Sequence, residues 1–142
     1  MGEGVGEILT LLPAPPAHHL VVVKPSQSAD TGKIYHAFDL ARINSTHSVE
    51  PVVSALRSGS LPALAAAVGN DLAPVTRDII PEVADLEQSL LASGALGTSM
   101  SGSGTAVFGA FEDAEAAGIA KDTLSAPFVD VYEPVPRGVE ID

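Results

Sequence analysis

Apolar residues follow two rhythms along this chain. Leu20 to Val23 is a continuous β-branched run stopped by Pro25, the pattern of a buried strand. Leu96 to Met100, Thr105 to Phe111 and Phe128 to Tyr132 are three further β-prone runs, the last ended by Pro134 and Pro136. Between them the spacing turns helical. Ile34, Ala37, Phe38 and Ala41 predict a helix that Asp30 or Thr31 can cap. Glu50 to Ser58 predicts another, with Pro51 in its first turn and Gly59 at its end. Ser60 can cap a third, with Pro62 near its start and Gly69 beyond its last apolar residue. Asn70 to Asp78 reads as a short helix interrupted by Pro74. Pro81 opens the most regular helix. Val83, Leu86, Leu90 and Leu91 form its apolar stripe, Glu82, Asp85 and Glu87 its solvated face, and Gly94 its stop. Asp113 to Leu124 is an Ala-rich helix weakened at Gly118.

Four strands and about five helices therefore interleave, and a glycine-rich hairpin joins two of the strands. This pattern predicts an α+β fold, a four-stranded antiparallel sheet covered by helices. Residues 1–17, with Pro13, Pro15 and Pro16, read as an arm ahead of a domain over 18–142. There is no internal repeat and no heptad pattern.

Composition narrows the function. With 142 residues, 46% of them apolar, the chain can bury a core, but only 4% are aromatic. That core must rest on Val, Leu, Ile and Ala. A formal net charge of −11 repels nucleic acid and anionic membranes, so neither is an expected partner. No cysteine is present, which removes disulfides, thiolate catalysis and zinc–cysteine sites. His18 and His19 point to opposite faces of a strand, and His36 and His47 lack a ligand-type partner one turn away, so no metal site is expected. No apolar stretch nears the ~20 residues that span a bilayer, and the first residues carry no basic region, so a cytoplasmic protein is expected.

Candidate chemistry centres on Ser101-Gly102-Ser103-Gly104, set just before Thr105. Two glycines in four residues permit positive φ and close approach of another group. Successive N–H groups in such a turn can form a nest for phosphate oxygens. A plain turn is the competing reading. Thr31 and Tyr35 are the second constellation. Spacing of four places both on one helix face, where a phenol can stack on a pyrimidine. A half-buried tyrosine packing the helix onto the sheet is the alternative. Asn70-Asp71, after a glycine at a helix junction, reads as a cap.

The order of several segments adds to this. Gly69-Asn70-Asp71-Leu72, Pro81-Glu82-Val83, Gly94-Ala95 and the Met-Ser-Gly-Ser-Gly loop at 100–104 together resemble the C-terminal half of the GHMP-superfamily small-molecule kinases. Gly4 to Thr10, Val21 to Pro25 and Thr31 to Tyr35 resemble, more narrowly, the branch acting on a cytidyl alcohol in non-mevalonate isoprenoid biosynthesis. The resemblance implies a ferredoxin-like domain whose Thr31 and Tyr35 lie beside the cytosine of the substrate. It implies that Ser101, Gly102, Ser103, Gly104 and Thr105 face the cleft. Ala29-Asp30 departs from the branch pattern, which has a small apolar residue and Ser there.

Chemistry is also missing. Phosphoryl transfer needs a phosphate cradle, a metal and a group positioning the attacking hydroxyl. The chain has no Gly-x-x-x-x-Gly-Lys-Ser/Thr loop and lacks the longer Gly-Leu-Gly-Gly-Gly-Ser-Ser segment of the family. No residue matches the family's catalytic aspartate or substrate-side lysine. The resemblance thus implies half an active site with no catalytic residue of its own. ATP and Mg2+ would be bound mainly by an N-terminal kinase half, reached through the 1–17 arm. Self-association over the exposed interface is a further expectation. A stand-alone α/β module binding an anionic metabolite and the C-terminal half of another GHMP kinase remain as alternatives.

Overall fold

The computed structural model describes residues 2–3, 8–41 and 47–135. Gly4 to Glu7, used in the resemblance above, and Pro136 lie outside the described residues. The elements run β1 (Gly2–Glu3), β2 (Ile8–Leu9), β3 (His19–Lys24), α1 (Thr31–Ala41), α2 (Glu50–Ser58), α3 (Leu61–Ala67), α4 (Ala73–Ile79) and α5 (Glu82–Ala92). They continue with β4 (Gly97–Met100), β5 (Val107–Phe111), α6 (Ala114–Thr123) and β6 (Phe128–Tyr132).

All four predicted strands form, in one antiparallel sheet of order β4-β5-β3-β6. Read from β3 the order is strand, helices, strand, strand, helix, strand, which is the ferredoxin-like α+β arrangement. β3 is central, with Val21 facing Gly109 on β5 and Val131 on β6. Its β-branched run explains the position, since only a strand buried on its helix side can use Val21 and Val23 at 0% exposure. The 1–17 segment is not wholly arm. β1 and β2 pair as a two-residue ribbon, Gly2 with Leu9 and Glu3 with Ile8.

One helical layer closes the core. Ala73, Ile80, Val83, Leu90, Ala117 and Ala120 pack onto Val21, Val23, Met100, Val107 and Phe111. α3 covers the other face at the β4 end, where Ala65 backbone fills the space a Gly97 Cβ would need. Small side chains suit both layers and explain how so few aromatics suffice.

Helix ends follow the local chemistry. Gly59 and Gly94 take φ +66° and +97° at the ends of α2 and α5, and the Ser60 hydroxyl accepts from Ala63 N at the start of α3. Asp30, rather than Thr31, caps α1, its carboxylate accepting from Lys33 N at 3.1 Å. Pro74 does not interrupt α4; it lies in the first turn, where a missing N–H costs nothing. Two expectations for α5 are corrected. Leu91 is 50% exposed and leaves the apolar stripe. Glu87 is buried rather than solvated, because Arg77 of α4 reaches it through two contacts, Nε to Oε2 at 2.7 Å and Nη2 to Oε1 at 2.9 Å. Among the described residues no helix is long and apolar enough to cross a membrane.

Candidate functional site

The β4–β5 hairpin carries the glycine loop, and its carbonyls from Met100 to Ser103 are all hydrogen-bonded. Ser101 N donates to Ala106 O at 2.8 Å and Gly104 N to Ser101 O at 3.0 Å, closing the turn. Gly102 and Gly104 take φ +58° and +94°, which L side chains rarely adopt. Their surroundings differ. A Cβ on Gly102 would meet nothing, whereas one on Gly104 would lie 2.8 Å from Met100 Sδ and 3.0 Å from Thr76 Cγ2. Gly104 is therefore turned into the protein and Gly102 toward solvent.

The side-chain amide of Asn70 donates to Met100 O at 2.8 Å and to Gly102 O at 2.7 Å, while its oxygen accepts from Leu72 N at 2.9 Å. The cap expected at this junction does not form, since Leu72 is the N-cap of α4 and no side chain caps it; Asn70 instead closes an Asx turn on Leu72 N and clamps the loop. Buried Thr76, on α4, shares its hydroxyl hydrogen between Leu72 O and Ser103 O, each at 3.2 Å. Thr105, which the resemblance puts at the cleft, is 2% exposed, and its hydroxyl donates to Gln27 O at 2.8 Å. It ties the hairpin to the segment that leads into α1.

That tie brings the two predicted constellations together. Thr31, the first residue of α1, lies 3.0 Å from Ser103, hydroxyl to hydroxyl, across 72 residues of sequence. One turn on, Tyr35 is 53% exposed, and the residue that packs α1 onto the protein is Ile34, at 1%. Tyr35 is thus more exposed than Ile34, the residue that anchors α1. Thr31, Tyr35, Ser101 and Gly102 all lie at the surface. Clefts lined by His18, His19 and Glu133 and by Glu82, Asp85 and Leu86 share no residue with this cluster.

Sequence reasoning placed the loop and α1 but missed Thr76, which no local pattern marks. Asn70 was singled out only as a cap. Among the described residues no three His, Cys, Asp or Glu side chains gather as a metal would require. Three of the four histidines make polar contacts: His18 Nδ1 is 2.6 Å from Pro16 O, His19 Nε2 is 3.0 Å from Glu133, and His47 Nδ1 is 2.6 Å from Asp71.

A ferredoxin-like sheet with a clamped glycine hairpin beside a helix N-terminus places the chain in the class of two-layer α+β domains that small-molecule kinases share. Its family is narrower. Residues 52–130 match the family described as GHMP kinases C terminal, and the chain belongs to that family. A 4-diphosphocytidyl-2-C-methyl-D-erythritol kinase of Pelotomaculum thermopropionicum is 40% identical over 118 residues, covering 82% of this chain and 41% of that protein. The crystal structure of a 4-(cytidine 5'-diphospho)-2C-methyl-D-erythritol kinase superposes with a TM-score of 0.68 at 29% identity, over 92% of this chain and 46% of that one. L. major mevalonate kinase, solved with R-mevalonate, gives a TM-score of 0.72 at 22% identity, covering 93% and 47%, and shows the fold alone. The chain thus spans about half the length of the relatives it matches.

Proposed function

We propose that this chain is the substrate-side, C-terminal domain of an ATP-dependent kinase that phosphorylates 4-diphosphocytidyl-2-C-methyl-D-erythritol. The observation that carries this reading is the Thr31–Ser103 contact. It joins the helix expected beside a cytosine to the loop expected near phosphate, as one open surface and not a closed pocket. An open half-site is what a cleft between two domains leaves on each of them. Sequence likeness favours the cytidyl branch over its siblings, since the fold alone resembles mevalonate kinase as well.

In this reading residues 18–142 form the domain and 1–17 lead from an N-terminal half. That half supplies the phosphate cradle, the catalytic aspartate and most contacts to ATP and Mg2+, in the cytoplasm. Tyr35 offers an exposed ring for stacking on the base, and the glycine loop offers backbone donors.

The test is turnover. Incubated alone with ATP, Mg2+ and the cytidyl substrate, the chain is expected to form no ADP beyond a protein-free control. Mixed with the matching N-terminal half, it is expected to restore transfer. ADP formation by the chain alone contradicts the half-site reading, and restored transfer to mevalonate or homoserine instead of the cytidyl alcohol moves it to a sibling kinase.

A further inference from the structure

The glycine loop spends its acceptors and keeps its donors. Four consecutive carbonyl oxygens, from Met100 to Ser103, each receive a hydrogen: from Asn70, Gly104 N, Asn70 again and Thr76. The N–H groups of Gly102 and Ser103 take no partner among the described residues. A hairpin with its carbonyls engaged and two neighbouring N–H groups free presents a donor face. Such a face suits an anionic oxygen and disfavours a ligand that itself brings N–H or O–H.

The Ser103 hydroxyl belongs to the same loop, and its polarity is set by its contact with Thr31. Two hydroxyls 3.0 Å apart share one hydrogen. If Ser103 donates to Thr31, its own oxygen turns lone pairs outward and opposes an anion. If Thr31 donates to Ser103, the Ser103 hydrogen is released to point outward. The second arrangement leaves three donors on neighbouring groups of the loop: Gly102 N–H, Ser103 N–H and Ser103 O–H.

We propose that Thr31 is a positioning residue which, by donating its hydroxyl hydrogen to Ser103, commits the Ser103 hydroxyl to an anionic phosphate or diphosphate group at the glycine loop. This rests on the reading of the loop as part of the substrate cleft and deepens it. Thr31 then acts on the anion through Ser103 and touches no phosphate itself. Each hydrogen bond made to a charged oxygen counts about twice a neutral one, so losing the relay is measurable even in a half-site.

Titration with inorganic pyrophosphate, followed by the amide NMR shifts of Gly102 and Ser103, tests this on the chain itself. Because the readout is anion binding, it is independent of turnover, which tests the kinase reading. Ser103→Ala is expected to weaken binding about tenfold, the scale of one charge-assisted hydrogen bond. Thr31→Val, which keeps the shape and removes the hydroxyl, is expected to weaken it by a similar factor. Thr31→Ser is expected to restore it. Asp30 caps α1 independently, so helix content should hold in all three. The decisive arm is the double variant. Thr31→Val in the Ser103→Ala background is expected to add nothing, since the relay is already broken. Additive losses, full binding by Thr31→Val, or no pyrophosphate response at Gly102 and Ser103 in the unaltered chain would each overturn the proposal.

Discussion

The side-chain amide of Asn70 lies 2.7 Å from the carbonyl oxygen of Gly102 and 2.8 Å from that of Met100, so one planar group bridges the base and the tip of the glycine hairpin. Its remaining oxygen holds Leu72 N at the entry to α4. All three hydrogen bonds are lost in Asn70→Ala, at about 1 kcal/mol each where they form. Unfolding in urea is expected to show a loss of about 3 kcal/mol. Hydrogen exchange at Ser101 and Gly104, whose N–H groups close the turn, should quicken more than exchange in β3. Asn70→Asp should be no better, because a carboxylate would face two carbonyl oxygens without a hydrogen to give. Stability unchanged in both variants would show that the turn closes without the clamp.

Gly102 and Gly104 share a backbone sign but not an environment, and substitution should separate them. Gly102→Ala meets only the cost of positive φ, about 1 kcal/mol, since its Cβ would meet open space. Gly104→Ala adds a clash with Met100 and Thr76 to that cost, for about 2–4 kcal/mol in all. Melting temperatures of the two variants check the order. The orientation also decides which glycine can probe function. A side chain at Gly104 would enter the core before reaching any ligand, so Gly102 is the position at which a loss of activity can be read.

Arg77 and Glu87 join α4 to α5, and α4 carries Thr76 against the loop. The pair is unequal, with the arginine 42% exposed and the carboxylate 9%. Arg77→Met therefore strands a buried carboxylate, while Glu87→Gln leaves an arginine that water can reach. The first is expected to cost about 1–3 kcal/mol and the second less. Equal losses in a denaturant series would contradict this asymmetry.

Lys121 on α6 meets Asp130 on β6 at 2.8 Å. The hydrogen bond from Lys121, with a second from Val131 N, holds the Asp130 carboxyl below its ordinary value of 3.8. The same contact raises Lys121 above 10.5. Asp130 thus adds stability above pH 3.8 that fades as acid passes its lowered folded value. Lys121 adds stability below pH 10.5 that fades as base passes its raised one. Across neutral pH the contribution is flat, and with both groups well exposed it is small and screened by salt. Thermal melts of Asp130→Asn are expected to converge on the parent as acid passes the lowered Asp130 value and in high salt, and to fall slightly below it at pH 7. A larger gap at pH 3 than at pH 7 would contradict the sign.

Most of the fold is legible in the sequence because its signals are local. Pro51, Gly59, Ser60 and Pro62 bracket two helices by their own backbone preferences. The Leu20–Val23 run marks the central strand because that position is buried on the helix side. What the chain does not disclose locally is pairing across elements. Glu87 looks like a solvated residue of α5 until Arg77 approaches from α4. Thr76 carries no pattern at all, and its role comes from the loop that packs on it. For the same reason Thr31 and Ser103 can each be singled out by sequence, but their contact cannot.

The claim that α1 forms the base side of a cytidyl site stands most directly on Tyr35. The measurement is the KM of Tyr35→Ala for each substrate, in the enzyme assembled from this chain and its N-terminal half. Losing the stacked ring is expected to raise KM for the cytidyl alcohol about tenfold, ~1.4 kcal/mol, and to leave KM for ATP nearly unchanged. An equal rise for both substrates, or none for either, would contradict a base-stacking role for Tyr35 and with it the placement of the cytidine on α1.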